Sequence, residues 1–363
     1  MDTKELKFCA TDKEIFDVLI GSKQQITESI LFELGRRRGI FYSKDTSREV
    51  LAAKLSLLPH DYHDLNAILS YRDHAGRAEK ITSITLDDKI DIEDIKAVAT
   101  ELKDSAPQGE KVLANQLASD KYTVAVTYSE IDYSKNRLVQ RREREANIEF
   151  IVQDSKTLIR MPANAKAESI VAALKERLDG RVKKEIPTFR IDLSQFSDPD
   201  ARTSFFTTLI KNIEGFQLEN VTTIRVDTMD QTLSGDEDEA GTEAAKQDML
   251  AVVKNVAMKG QSLLASSEYQ QLREKGFFIT SIAWSSRMLE IPFTIVEFEA
   301  GFEDPVNGSG FKYSIRGARH ADKGVYSKTI RPLSVGQKEY LLSLVEKSAT
   351  SSVHALVSAI HEK

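Results

Sequence analysis

Apolar residues in the first third of the chain recur at helical spacing. Ile26, Ile30 and Leu34 lie four residues apart. Residues at this spacing share one face of an α-helix, which can then pack against a neighbouring element. Similar patterns continue beyond them, and the sequence therefore predicts a mainly helical region over residues 12–119.

The period of the pattern changes near Tyr122. Tyr122, Val124, Val126 and Tyr128 alternate with threonine and alanine residues. Side chains two residues apart lie on the same face of a β-strand, so this stretch predicts a strand. From here on, predicted strands and helices interleave, and the C-terminal residues return to a helical pattern.

These patterns predict an α+β protein with a helical N-terminal region, followed by a mixed α/β sheet domain with a C-terminal helix. We expect a helical domain at residues 1–105, which would contain a helix–extended–helix module. A linker or helix is expected at 106–121, near Pro107 and Gly109, and a mixed α+β domain at 122–363.

A short internal repeat suggests how part of the sheet is arranged. The segments Thr188–Asp192 and Thr223–Asp227 share the pattern T-x-R-x-D, and a predicted helix of crossover length lies between them. We expect two neighbouring parallel strands joined by a right-handed crossover. Arg190 and Arg225 would then share a polar face, which either carries cross-strand charge pairs or binds a ligand.

Composition limits the class of protein. The chain has 363 residues, of which 41% are hydrophobic and 29% charged, and its net charge is -6. This balance is typical of globular proteins and provides no global basic field. Cys9 is the single cysteine, the N-terminus lacks a signal-peptide pattern, and no apolar run is long enough to span a bilayer. We expect a soluble, cytoplasmic protein without membrane contact.

Known catalytic and cofactor motifs are missing from the sequence. It has no G-x-x-x-x-G-K-[ST] loop and no glycine-rich dinucleotide fingerprint. His60 and His63 have a close spacing but no second pair to complete a zinc site. We therefore expect no cofactor and no metal, and a non-catalytic role is favoured. An enzyme with a dispersed site stays an alternative, with Glu297, Glu299 and the two arginines of the repeat as its first candidates.

Two concentrations of basic residues are the main functional signal. Lysine and arginine displace counterions from nucleic-acid phosphates, so either cluster could contact a phosphate backbone. Solvated faces of a highly charged protein produce similar clusters. The first cluster comprises Arg36, Arg37, Arg38, Lys44, Arg48 and Lys54, and the second comprises Lys312, Arg316, Arg319, Lys323, Lys328 and Arg331.

The segment around the first cluster has a recognisable layout. A leucine-bearing helix is predicted to end at the basic triplet Arg36–Arg38, and Gly39–Tyr42 forms a short extended link. Thr46 with Glu49 has a capping-box pattern that begins the next helix. Residues 31–58 thus resemble SAP-type modules, in which two short helices flank a tight link.

The resemblance to SAP-type modules implies DNA binding. It implies that Lys44, Arg48 and Lys54 face phosphate. The link departs from the family pattern, because Ser43–Asp45 stands where such modules usually carry a glycine and a lysine.

The sequence therefore leads to one function and one alternative. The first is a non-catalytic DNA-binding protein that uses its basic patches. The second is a protein-interaction subunit of a multi-component assembly, such as a bacterial antiviral defence system. The acidic segment 234–241 and the missing catalytic motifs fit the second hypothesis. The DNA-binding hypothesis requires these cations to lie close together in the folded protein.

Overall fold

A computed structural model describes residues 10–73, 79–228, 255–259, 263–290, 294–322 and 325–361. Lys323 of the second basic cluster and the acidic segment 234–241 lie outside these residues.

Helices occupy both ends of the described chain. The helices are α1 (Asp12–Gly21), α2 (Glu28–Arg37), α3 (Arg48–Ser56), α4 (Tyr62–Asp73), α5 (Ile92–Asp104), α6 (Ala165–Val182), α7 (Pro199–Lys211), α8 (Ser267–Glu274) and α9 (Val335–His361). Over the residues that the structure describes, no helix combines the length and the apolar character that crossing a membrane requires.

Strands begin earlier in the chain than the hydrophobic pattern predicts. The strands are β1 (Ile81–Leu86), β2 (Lys111–Ala118), β3 (Lys121–Ile131), β4 (Arg141–Val152), β5 (Thr157–Pro162), β6 (Thr188–Phe189), β7 (Phe216–Asp227), β8 (Asn255–Lys259), β9 (Phe278–Met288), β10 (Ile295–Asp304), β11 (Ser309–Arg319), β12 (Ala321–Asp322) and β13 (Val325–Tyr326).

Eleven of these strands form one large sheet. Its order is β2-β3-β4-β5-β1-β11-β10-β9-β7-β8, and β6 pairs with β1. The pairings from β4 to β8 along this order are antiparallel. The expected α+β class, with a helical N-terminal region and a C-terminal helix, is confirmed.

The chain forms two compact units, each built from separate segments. The helical unit comprises Met1–Ala78, Thr100–Ala114 and Val124–Asn147, and the sheet unit comprises Glu79–Ala99, Asn115–Thr123 and Ile148–Lys363. The structure thus interleaves the two units along the chain, whereas the sequence pattern predicts two consecutive domains around a linker.

The helical unit has a core of aliphatic side chains. Leu19, Leu31 and Leu51 are fully buried there, and they come from α1, α2 and α3. Leu138, from the turn after β3, packs into the same cluster. Arg137 next to it pairs with Glu14 of α1 at 3.0 Å. The turn between β3 and β4 therefore completes the core that the three helices begin.

The sheet unit buries aromatic rings between its strands and the helices α7, α8 and α9. Phe205 of α7 packs against Phe302 and Phe311 with ring centroids 5.7 and 5.6 Å apart. Trp284 of β9 stacks on Phe298 of β10 at 5.3 Å. These rings cover one face of the sheet, and burial of so much apolar area is the main source of stability for this unit.

Two sequence expectations about the strands are wrong. Strand β1 lies within the predicted helical domain and β2 within the predicted linker. The repeat also does not mark neighbouring strands, because β6 pairs with β1 whereas β7 pairs with β8 and β9. Strand β6 covers only two residues of its repeat segment, and Arg190 pairs with Glu168 of α6 at 2.8 Å.

Candidate nucleic-acid interface

Helices α2 and α3 are joined by residues 38–47, which form turns and coil without a strand. Helix α2 ends at Arg37, and Gly39 turns the chain with φ +72°, a conformation that glycine adopts without strain. Helix α3 is capped by Ser47, whose hydroxyl accepts from Val50 N. The cap is one residue later than predicted, because the amide of Thr46 closes a turn on the carbonyl of Ser43.

Packing fixes the direction of the aromatic side chains in this link. A Cβ atom at Gly35 would lie 2.8 Å from Cε2 of Tyr42, so the missing side chain of this glycine makes room for the tyrosine ring against α2. The Lys54 ammonium lies 5.6 Å from the centroid of the same ring. Phe41 is left 81% exposed.

Two lysines of the first cluster are exposed. Lys44 and Lys54 have no carboxylate partner among the residues that the structure describes. Lys54 contacts the aromatic link through Tyr42, and Lys44 follows Phe41 by three residues. We call Phe41, Lys44 and Lys54 the link surface. It combines positive charge with an open aromatic ring.

The arginine triplet is partly engaged by carboxylates. Arg36 and Arg37 both pair with Glu33, at 2.6 and 3.3 Å. One carboxylate thus serves two exposed guanidinium groups, which leaves net positive charge on this turn. Arg38 is held by Asp64 and donates to the carbonyl of Pro59 at 2.8 Å. Exposed pairs of the Glu33 kind contribute little, so a phosphate can compete for Arg36 and Arg37.

Arg48 does not face phosphate, which corrects the expectation from the SAP-type resemblance. Its side chain is buried, with 6% exposed, and its guanidinium donates to the carbonyl of Leu19. The physical reason is its helical position, because Arg48 shares the buried face of α3 with Leu51 and Leu55. The helical spacing of Arg48, Leu51 and Leu55 in the sequence already indicates that Arg48 lies on the buried face.

The second cluster is engaged differently. Lys312, Arg316 and Arg319 of β11 pair with Glu303, Glu299 and Glu297 of β10. Side chains on adjacent strands are close enough for such pairs. These three cations therefore serve cross-strand ion pairs, and none of them is a free positive charge for a polyanion.

Glu299 is the most strongly held of these carboxylates. Lys80 lies 2.7 Å from it and Arg316 also 2.7 Å. Burial by itself would raise the pKa of Glu299, but the hydrogen bonds and charges of Lys80 and Arg316 outweigh it and lower the pKa to about 2. A carboxylate with two cationic partners is poorly available to a metal. In the described part of the chain, no group of three or more His, Cys, Asp or Glu side chains is placed to hold a metal ion.

The rest of the second cluster lies after β11. Lys328 and Arg331 are exposed and, within the described ranges, have no carboxylate partner. The backbone of Arg331 pairs with Ala318 through two hydrogen bonds of 2.9 Å. These two side chains could also contact an anion.

A buried charge network was not predicted from the sequence. Arg160 of β5 makes a two-fold contact with Glu346 of α9 at 2.7 and 2.9 Å, and Tyr313 donates to the same carboxylate. Glu149 of β4 contacts Arg160 at 3.0 Å. Its members are up to 197 residues apart, from Glu149 to Glu346, and only the folded sheet brings them together. The network binds the C-terminal helix to the sheet and leaves no open site.

The described residues thus define an α+β protein whose helical unit carries exposed lysines beside an exposed aromatic ring. Comparison of the sequence with models of known protein families finds no match, and comparison with curated proteins finds none either. The functional argument therefore depends on the side chains of this chain alone.

Proposed function

We propose that the protein binds the phosphate backbone of nucleic acid through the link surface, with Arg36 and Arg37 at its margin. The observation that carries the proposal is that Lys44 and Lys54 have no carboxylate partner among the described residues and accompany an 81% exposed Phe41. In a chain of net charge -6, binding of a polyanion requires such a local patch. The resemblance to SAP-type modules supports the same assignment.

Contacts of this kind position a protein on nucleic acid but do not read its sequence. Lysine ammonium groups bind phosphate as point charges, and phosphate contacts are the same at every base pair. We therefore expect binding with little sequence preference and a steep dependence on salt.

Fluorescence anisotropy of the full chain with labelled DNA tests this function. Affinity should fall steeply between about 50 and 200 mM salt, because bound lysines release counterions. The variant K44Q/K54Q should bind more weakly, with a salt slope reduced by roughly 1.4–1.8, since each phosphate contact contributes about 0.7–0.9.

A matched control removes the same charge elsewhere. The variant K328Q/R331Q changes two exposed cations of the second cluster and should retain most of the affinity and slope. The proposal is wrong if the wild-type protein binds no DNA in low salt. It is also wrong if the two double variants weaken binding equally, because binding would then follow total charge.

The second candidate is a protein-interaction subunit, and one observation favours it. Val50, Ala53 and Leu57 lie at helical spacing on the outer face of α3, and Val50 and Leu57 are 43% and 69% exposed. Apolar side chains on an outer helix face often serve protein contacts. DNA binding by the wild-type protein separates the candidates, because a measurable affinity in low salt is expected under the first function and none under the second. Under the first function V50S/L57S should keep that affinity.

A further inference from the structure

Phe41 has no role in folding that its position can explain. The ring is 81% exposed, and an apolar ring in water gains none of the stabilisation that burial provides. The neighbouring Tyr42 is directed onto α2 through the space that Gly35 leaves. Phe41 itself makes no comparable contact with α2 and stays open to solvent.

Of the two rings in the link, only Phe41 has an open face. Tyr42 packs against α2 on one side and carries the Lys54 ammonium 5.6 Å from its centroid. Lys44 follows Phe41 by three residues, and Lys54 lies over the ring of Tyr42, the residue next to Phe41. This is the combination of charge and aromatic surface that proteins use for single strands, where lysines follow the backbone and bases stack on rings.

We propose that the link surface prefers single-stranded to double-stranded nucleic acid, with one base stacked on Phe41 and adjacent phosphates on Lys44 and Lys54. A duplex keeps its base faces inside its own stack, so it offers Phe41 nothing to stack on. A single strand offers its base faces freely. This inference depends on the proposed function, since it requires the same lysines to contact phosphate.

The test compares a labelled dT20 strand with a duplex of the same length, by anisotropy with the full chain. The wild type should bind the single strand more tightly. The variant F41A should lose about tenfold in affinity for the single strand, which is within the range for one stacked base, and keep its duplex affinity. F41W should retain single-strand binding, because the indole offers a larger stacking face.

Y133A is the matched control. Tyr133 is 82% exposed, belongs to the same helical unit and also lies outside a helix or strand. This variant should leave both affinities unchanged. Thermal unfolding of F41A should match the wild type, because the ring is not part of the core.

The outcomes distinguish a failure of the single-strand preference from a failure of nucleic-acid binding itself. If neither substrate binds in low salt, the nucleic-acid function fails and the inference with it. If K44Q/K54Q weakens binding but F41A binds the single strand as well as the wild type, the function holds and the single-strand inference is overturned. Equal losses of single-strand and duplex affinity in F41A would overturn it too.

Discussion

On β11, every described cation of the second cluster reaches a carboxylate of β10, whereas Lys44 and Lys54 of the helical unit reach none among the described residues. The difference comes from backbone geometry. Antiparallel strands place side chains opposite each other at regular intervals, so a row of cations on one strand meets a row of anions on the next. A short link between two helices has no such neighbour. Two clusters with a similar content of lysine and arginine therefore differ in how much positive charge a polyanion could contact.

The charged groups of β10, β11 and the buried network stabilise the fold, whereas the two lysines of the link surface are exposed. Glu346 and Glu299 represent the first use, and Lys54 represents the second. Three substitutions test this contrast, in order of the expected effect on the free energy of unfolding.

The largest effect is expected for E346A. This change leaves the Arg160 guanidinium buried with Glu149 as its remaining carboxylate and removes the acceptor of Tyr313. Removing the main partner of a buried ion pair is costly even though Glu149 remains, so the free energy of unfolding should fall by about 3 kcal/mol, measured by urea denaturation. The neighbouring K347Q breaks an exposed pair with Glu214 and should change the free energy of unfolding far less, because solvent screens exposed pairs. Equal effects would contradict a structural role for the buried network.

A smaller effect, and one that depends on pH, is expected for E299Q. The folded-state pKa of Glu299 is lowered to about 2 from an ordinary 4.5. Its charged form therefore stabilises the fold above pH 4.5, and this stabilisation is lost as the pH falls towards 2. At neutral pH it amounts to at most about 3 kcal/mol, and solvent screening of this half-buried carboxyl reduces it.

Urea denaturation at pH 7, 4.5 and 3 checks this expectation. E299Q should be less stable than the wild type at pH 7, and the difference should shrink as the pH falls. Parallel stability curves would show that Glu299 does not carry the predicted charge coupling to Lys80 and Arg316.

The smallest effect is expected for K54M. Its ammonium lies over the Tyr42 ring at an exposed site, where such contacts contribute ~0.5–1 kcal/mol. The free energy of unfolding should change by no more than this, whereas affinity for DNA should fall clearly. A large loss of stability would mean that Lys54 belongs to the structural class of cations, and its exposure could no longer be taken as evidence of binding.

Local sequence patterns predicted much of the helical unit. Helical spacing placed the end of α2 at the basic triplet, and a capping pattern placed the start of α3 to within one residue. Strand β1 was missed for a physical reason: its buried positions are Thr82, Ile84 and Leu86, so a threonine interrupts the apolar alternation while Ile81 adds an apolar residue to the other face. A six-residue strand leaves too few positions to resolve this.

The candidate site was predictable only where its geometry is local. The link lysines and their aromatic neighbours lie within 14 residues of one another, from Phe41 to Lys54. The pairing of Arg316 with Glu299 depends instead on the register of two strands, which a single sequence does not reveal. The packing of Tyr42 on Gly35 and the exposure of Phe41 likewise became visible only in the structure.

The interleaved build of the helical unit has a consequence for synthesis. Helices α1 to α4 leave the ribosome first, yet Leu138 and Arg137, which complete their core and hold α1, are added only after β1, α5 and β2. The nascent helices therefore lack these two contacts while part of another unit is translated. A fragment that stops at residue 105 would lack them permanently.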